Sequence, residues 1–183
     1  MNGDRSVRFP ALATMTVVAH TITYFLIGVL ASSLLGYAEQ FRRPELACWM
    51  RPLTDHMVTA GPLFQPVRGF IFALVFFPVR EILFARRTGW LITWWMLVGL
   101  GILGTFGPAP GSVEGMVYTA IPLRIQIGGW LEVVLQAFLL SAGLWYWVRH
   151  PHTRWLNWVL GAVFAIVMLL SVMGLLFVST TRS

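Results

Sequence analysis

Residues 155–178 read WLNWVLGAVFAIVMLLSVMGLLFV, a run without one ionisable side chain. About 20 apolar residues suffice to cross the hydrocarbon core of a bilayer as a helix. A barrel strand needs about half that length and alternates in polarity, which this run does not. In lipid the backbone must satisfy its own hydrogen bonds, so a continuous run of this kind is a helix.

Working outward from it, four further stretches are predominantly apolar and of spanning length, at about 10–35, 63–84, 89–106 and 125–148. Together with 155–178 they predict an all-α fold: a polytopic transmembrane helix bundle with five spans, forming a single domain over residues 1–183. Composition agrees. Hydrophobic residues make up 57% of the chain and charged residues 11%, against roughly 25% charged in soluble domains. The first stretch reads as a retained span rather than a cleaved leader. Its apolar region exceeds the roughly 7–15 residues of a signal sequence, and Thr16, His20 and Thr23 interrupt it.

The formal net charge is +6, and all thirteen basic residues are Arg. Such a balance suits nucleic acid or anionic lipid when the charges form a stripe. Here the arginines flank apolar runs, the pattern that sets membrane orientation. Nucleic acid is therefore not an expected partner, and the lipid bilayer is. Without Lys, Schiff-base and Walker-type phosphate chemistry are excluded. With alternating spans, Arg5, Arg8, Arg86, Arg87, Arg149 and Arg154 share one side, with Trp90, Trp94, Trp95, Trp145, Trp147, Trp155 and Trp158 near the same interface. Arg42, Arg43, Arg51, Arg124 and Arg182 fall opposite, where Glu39, Glu45 and Asp55 accompany the first three. The expected placement is the plasma membrane, with the N-terminus cytoplasmic and the C-terminus outside.

Each of the two longer outer loops has room for a short interfacial helix. The first candidate is Pro44 to Met50. The second begins after the breaker Gly107-Pro108-Ala109-Pro110-Gly111, is capped by Ser112, continues through Tyr118 and is ended by Pro122.

Most chemical motifs fail on context. Gly99-Leu100-Gly101-Ile102-Leu103-Gly104 matches the dinucleotide-binding pattern, but that pattern works only between a strand and a helix of a soluble unit. Within a span, its glycines are expected to admit close helix contact. The pairs Gly28/Ser32 (with Gly36), Ala137/Ser141 and Gly161/Ala165 are read the same way. Cys48 is the only cysteine, so neither an intrachain disulfide nor a cysteine metal site can form. His150-Pro151-His152 has no adjacent carboxylate, and haem between two spans would need a second deep His beside His20. No zinc-protease, nucleophile-elbow, C-x-x-C or P-loop signature occurs. The expectation is no cofactor, no metal and no catalytic residue.

The informative residues are polar ones at membrane depth. Ionisable groups there are costly and turn toward the bundle interior or a wet cavity. At 1.5 Å per residue, Arg68 lies about 7 Å and Glu132 about 10 Å inside the outer ends of their spans. His20 and Tyr24 are i, i+4, as are Glu132 and Gln136, while Gln65 and Arg68 are i, i+3. Three helices thus each carry one short polar stripe. The predicted cluster is His20, Tyr24, Gln65, Arg68, Glu132 and Gln136, with Arg68 paired to Glu132. It is either a register-fixing clamp or a ligand site. Arg80 is expected to reach lipid phosphates, and Glu114 and Arg124 to be solvated.

Three function classes follow. The first is a non-enzymatic protein that binds a lipid or small amphipathic molecule beside Arg68, or that serves as an accessory subunit for a membrane-protein partner or a homo-oligomer. The second is a small transporter or proton-coupled permease component using His20 and Glu132. The third is an intramembrane enzyme, for which no nucleophile or metal ligand set is evident.

Overall fold

The computed structural model describes residues 7–48, 50–105 and 107–180. Arg5, Arg182 and the Phe106 end of the third stretch lie outside them. Among the described residues all regular structure is helical.

Helix α1 (Phe9–Leu34) opens with Pro10 in its first turn, where a missing N–H leaves no intrahelical bond unmade. It stops at Gly36, whose φ of 63° is the left-handed conformation that closes helices and favours glycine. The loop that follows holds three single turns, α2 (Tyr37–Gln40), α3 (Pro44–Ala47) and α4 (His56–Thr59). The helix expected from Pro44 is therefore shorter than predicted, and it has two companions. Asp55 caps α4 by accepting from the Met57 N–H at 2.8 Å, and that bond holds its carboxyl below the usual range.

The second stretch departs most from expectation. A 3-10 turn (Gly61–Phe64) leads into α5 (Gln65–Phe76), which ends well short of residue 84. The cause is Pro78, which has no N–H to donate and whose ring collides with the carbonyl four residues back. The chain resumes as a π-helical turn, Glu81–Ala85. Arg80, at the break, folds back on its own segment. It donates to the Phe77 carbonyl at 3.0 Å and lies over the Phe77 ring at 4.3 Å, rather than extending outward as expected.

Helix α6 (Gly89–Val98) passes into a second π-helical turn, Gly99–Leu103. The loop after it forms α7 (Val113–Tyr118) as predicted, with Ser112 Oγ accepting from the Gly115 N–H at 2.9 Å. Glu114 and Arg124 are exposed. Helix α8 (Leu123–Arg149) follows Pro122 and ends before Pro151, and α9 (Arg154–Thr180) is the last described element.

Three of these helices, α1, α8 and residues 154–177 of α9, are long and apolar enough to cross a membrane, while 61–76 and 89–103 are shorter apolar helices. Contacts at the two ends give the chain directions. At one end Arg149 donates to the Phe84 and Ala85 carbonyls (3.3 and 3.1 Å), Trp145 to Arg86 O (3.0 Å), and Trp147 to Asn157 (2.6 Å). At the other, Gln126 of α8 accepts from the Gly111 N–H (3.2 Å) and donates to Ile121 O (2.9 Å), and Gly174 of α9 abuts Thr59. The five apolar segments therefore run alternately up and down.

Helix α1 is the hub, packing on α5, α8 and α9, while α6 packs mainly on α8. Leu12, Phe76, Leu83, Leu140 and Leu144 form the centre of the core. Trp94 and Trp147 turn inward, Trp94 donating to Val134 O at 3.1 Å, whereas Trp95, Trp155 and Trp158 are exposed. Only 11% of the α9 window is buried, so most of its apolar surface faces outward.

The small-residue expectations divide. Ala137 and Ser141 are buried in the bundle. Gly28, Gly36, Gly99, Gly101 and Gly161 have open space where a side chain would be, so they bring no helices together. The close approach occurs instead at Gly69 of α5, where an added Cβ would lie 2.7 Å from Val17 Cα and 3.3 Å from Thr16 O.

Candidate functional site

That approach between α1 and α5 builds the site. It buries His20 (1% exposed) against α5, where its Nε2 lies 3.1 Å from Gln65 Oε1. The Gln65 amide group donates to Gly61 O at 3.1 Å, which fixes its Oε1 as the acceptor. His20 Nε2 is therefore the protonated nitrogen. Its Nδ1 is buried and has no hydrogen-bond partner among the described residues. The edge of the imidazole meets Phe72 at 4.9 Å between ring centroids.

One turn from Gln65, Arg68 is exposed in the first half of α5, with its guanidinium 5.5 Å from the Phe72 ring centre. No salt bridge or hydrogen bond satisfies it among the described residues. The predicted ion pair with Glu132 does not form: Glu132 accepts a hydrogen bond from the Tyr37 hydroxyl instead. Tyr37 follows directly after the left-handed Gly36, and that turn swings its ring back over α8. A neutral phenol satisfies the carboxylate without the cost of desolvating a second charge. Burial first, and then the carboxylate, push the Tyr37 phenol above its ordinary range. No sequence stripe announced Tyr37, since it lies beyond the end of α1. The one available signal was an aromatic residue immediately after a helix-closing glycine.

The six predicted residues thus divide. His20, Arg68 and Gln136 line one cavity of about 260 Å³, and Gln65 holds His20 from behind. Glu132 belongs to the Tyr37 contact. Tyr24 stands between the two groups, 6.3 Å from His20 by ring centroids and within electrostatic reach of both Arg68 and Glu132.

The cavity is a lateral groove. Helix α5 rests chiefly on α1 and α6 on α8, so the two short helices stand apart and the groove runs between them. Ile71, Phe72, Val75 and Phe76 form one wall, Met96, Leu97, Leu100 and Gly101 the other, and Val133, Gln136, Ala137 and Leu140 the floor with His20. The second π-helical turn borders it at Leu100 and Gly101, a recurrent position for such turns beside functional sites. A shallow apolar groove over Thr88, Leu91, Ile92 and Trp95 shares Met96 and Leu100 with it. The Gln136 amide makes no hydrogen bond among the described residues.

His150 is committed elsewhere, its Nδ1 2.8 Å from Tyr146 O and its ring stacked on Tyr146. Among the described residues no group of three or more His, Cys, Asp or Glu side chains could hold a metal ion. No protein family, curated protein or solved structure matches the chain.

Proposed function

We propose that this chain is a five-span, non-enzymatic protein of the plasma membrane, and that it binds an amphipathic molecule in the groove between α5 and α6. The observation that carries this reading is Arg68. An unpaired guanidinium in the outer half of an apolar bundle is costly, and it stands at the mouth of a groove whose deeper walls are aliphatic and aromatic. A polar head at Arg68 and Gln136 with an apolar body against Phe72, Phe76 and Leu97 satisfies both ends at once. Five spans agree with the alternating directions of the five apolar segments. Arg8, Arg86, Arg87, Arg149 and Arg154 gather at one end, which the positive-inside rule makes cytoplasmic.

Gentle extraction followed by native mass spectrometry tests the reading. The expected result is a stoichiometric small-molecule adduct on the wild type that is absent from Gly101→Phe. Position 101 lines the groove, and its Cβ direction is open, so phenylalanine fills the space without displacing backbone. A protein partner with no small-molecule adduct would replace this reading with that of an accessory subunit.

One observation favours a second reading, a proton-coupled permease component: the buried, unpartnered Nδ1 of His20. Proton flux in liposomes that disappears in His20→Gln would establish it.

A further inference from the structure

Given the groove-binding reading, on which this inference rests, we infer that the occupant is a single-chain anionic amphiphile: one carboxylate or phosphate head on one aliphatic tail.

The head follows from charge. Arg68 is permanently cationic and presents five N–H donors in a planar fork that matches carboxylate and phosphate oxygens. Glu132, the acidic side chain expected to pair with it, is taken by Tyr37. The neighbouring Gln136 amide adds a free donor inside the same groove. These groups favour an acceptor-rich, negatively charged head over a neutral alcohol.

The single chain follows from volume and shape. The cavity of about 260 Å³ exceeds the roughly 150 Å³ that encloses a benzene ring. It falls below the roughly 300–1,000 Å³ of sites for drug-sized molecules. The space beside Arg68 holds part of one chain, and a second chain would have to lie outside it. Phe76 of the α5 wall and Leu140 of the floor, each 2% exposed, close the groove on the inside, so the chain cannot continue inward. It has a continuous apolar exit at Met96 and Leu100 along the outer face of α6 toward Thr88.

The test uses purified full-length protein in detergent, with tryptophan fluorescence and native mass as readouts. The probes are oleate, oleoyl-lysophosphatidylglycerol, oleyl alcohol and dioleoylphosphatidylglycerol. At least one single-chain anion should bind saturably, and oleyl alcohol about tenfold or more weaker, as expected for loss of a charge-assisted contact. Arg68→Gln should weaken the anion about tenfold and leave oleyl alcohol unchanged. Gly101→Phe should abolish both, with an unaltered melting temperature confirming that the variant is folded. Tighter binding of oleate assigns the site to free fatty acid, and tighter binding of the lysolipid assigns it to a phosphate head. Equal binding of oleyl alcohol and oleate, or tighter Gly101-dependent binding of the two-chain lipid, overturns the inference while leaving the groove reading intact. Binding of every probe that is indifferent to Gly101→Phe overturns both.

Discussion

Gly69→Ala is expected to cost about 1–3 kcal/mol of stability, the usual penalty for overpacking, and to lower the melting temperature in detergent by several degrees. The added methyl would lie 2.7 Å from Val17 Cα, 3.3 Å from Thr16 O and 3.4 Å from His20 Cβ. The first two are backbone atoms of α1 and cannot rotate away, so the helices must separate. Separation also pulls Gln65 from His20, since both lie on this interface. Gly28→Ala and Gly161→Ala are the controls. Their Cβ directions are open, and alanine is the better helix former by about 1 kcal/mol, so neither should destabilise. Thermal melts of the three variants decide the point. A Gly161→Ala loss larger than that of Gly69→Ala would mean that α9, rather than α5, makes the tight seam.

Two double-mutant cycles on Glu132 should give opposite results. Combined with Tyr37→Phe, Glu132→Ala should show a coupling of about 1.5–3 kcal/mol, the range for a hydrogen bond to a charged group. Combined with Arg68→Ala, it should be additive within about 0.5 kcal/mol. The first follows from the direct Tyr37–Glu132 contact and the second from the lack of one between Arg68 and Glu132. Tyr37 is also the first residue of the turn that carries the chain from α1 into the loop after it. Losing its anchor should therefore increase proteolysis between residues 36 and 62, without changing the bundle beneath. Strong coupling in the Arg68 cycle would restore the ion pair predicted from spacing and remove the free cation from the groove.

Local chemistry was legible where it acts alone. The ends of α1 and α8, the start of α9 and the cap of α7 by Ser112 follow from length, proline, glycine and serine positions. The convergence of polar stripes was legible in part: i, i+4 spacing put His20 near Gln65, and Arg68 and Gln136 around one space, because periodicity fixes which residues share a face. Three features were not read. Pro78 was visible in the sequence, but the surrounding apolar run concealed the break it causes. Gly69 gives no more local signal than Gly28 or Gly161, because close approach depends on which helix lies opposite. Tyr37 reaches Glu132 across 95 positions through a loop, and loop paths leave no periodic trace. The groove itself is a property of packing, since it exists because two short helices chose different neighbours.

The most direct test of that claim is an experimental structure of the wild type in nanodiscs of native lipid, at a resolution that shows side chains. The expected result is α5 and α6 standing apart, with elongated density running from Arg68 past Phe72 toward Leu100. Phe72 packed directly on Leu100, with α5 against α6 and Arg68 bonded to Glu132, would contradict it.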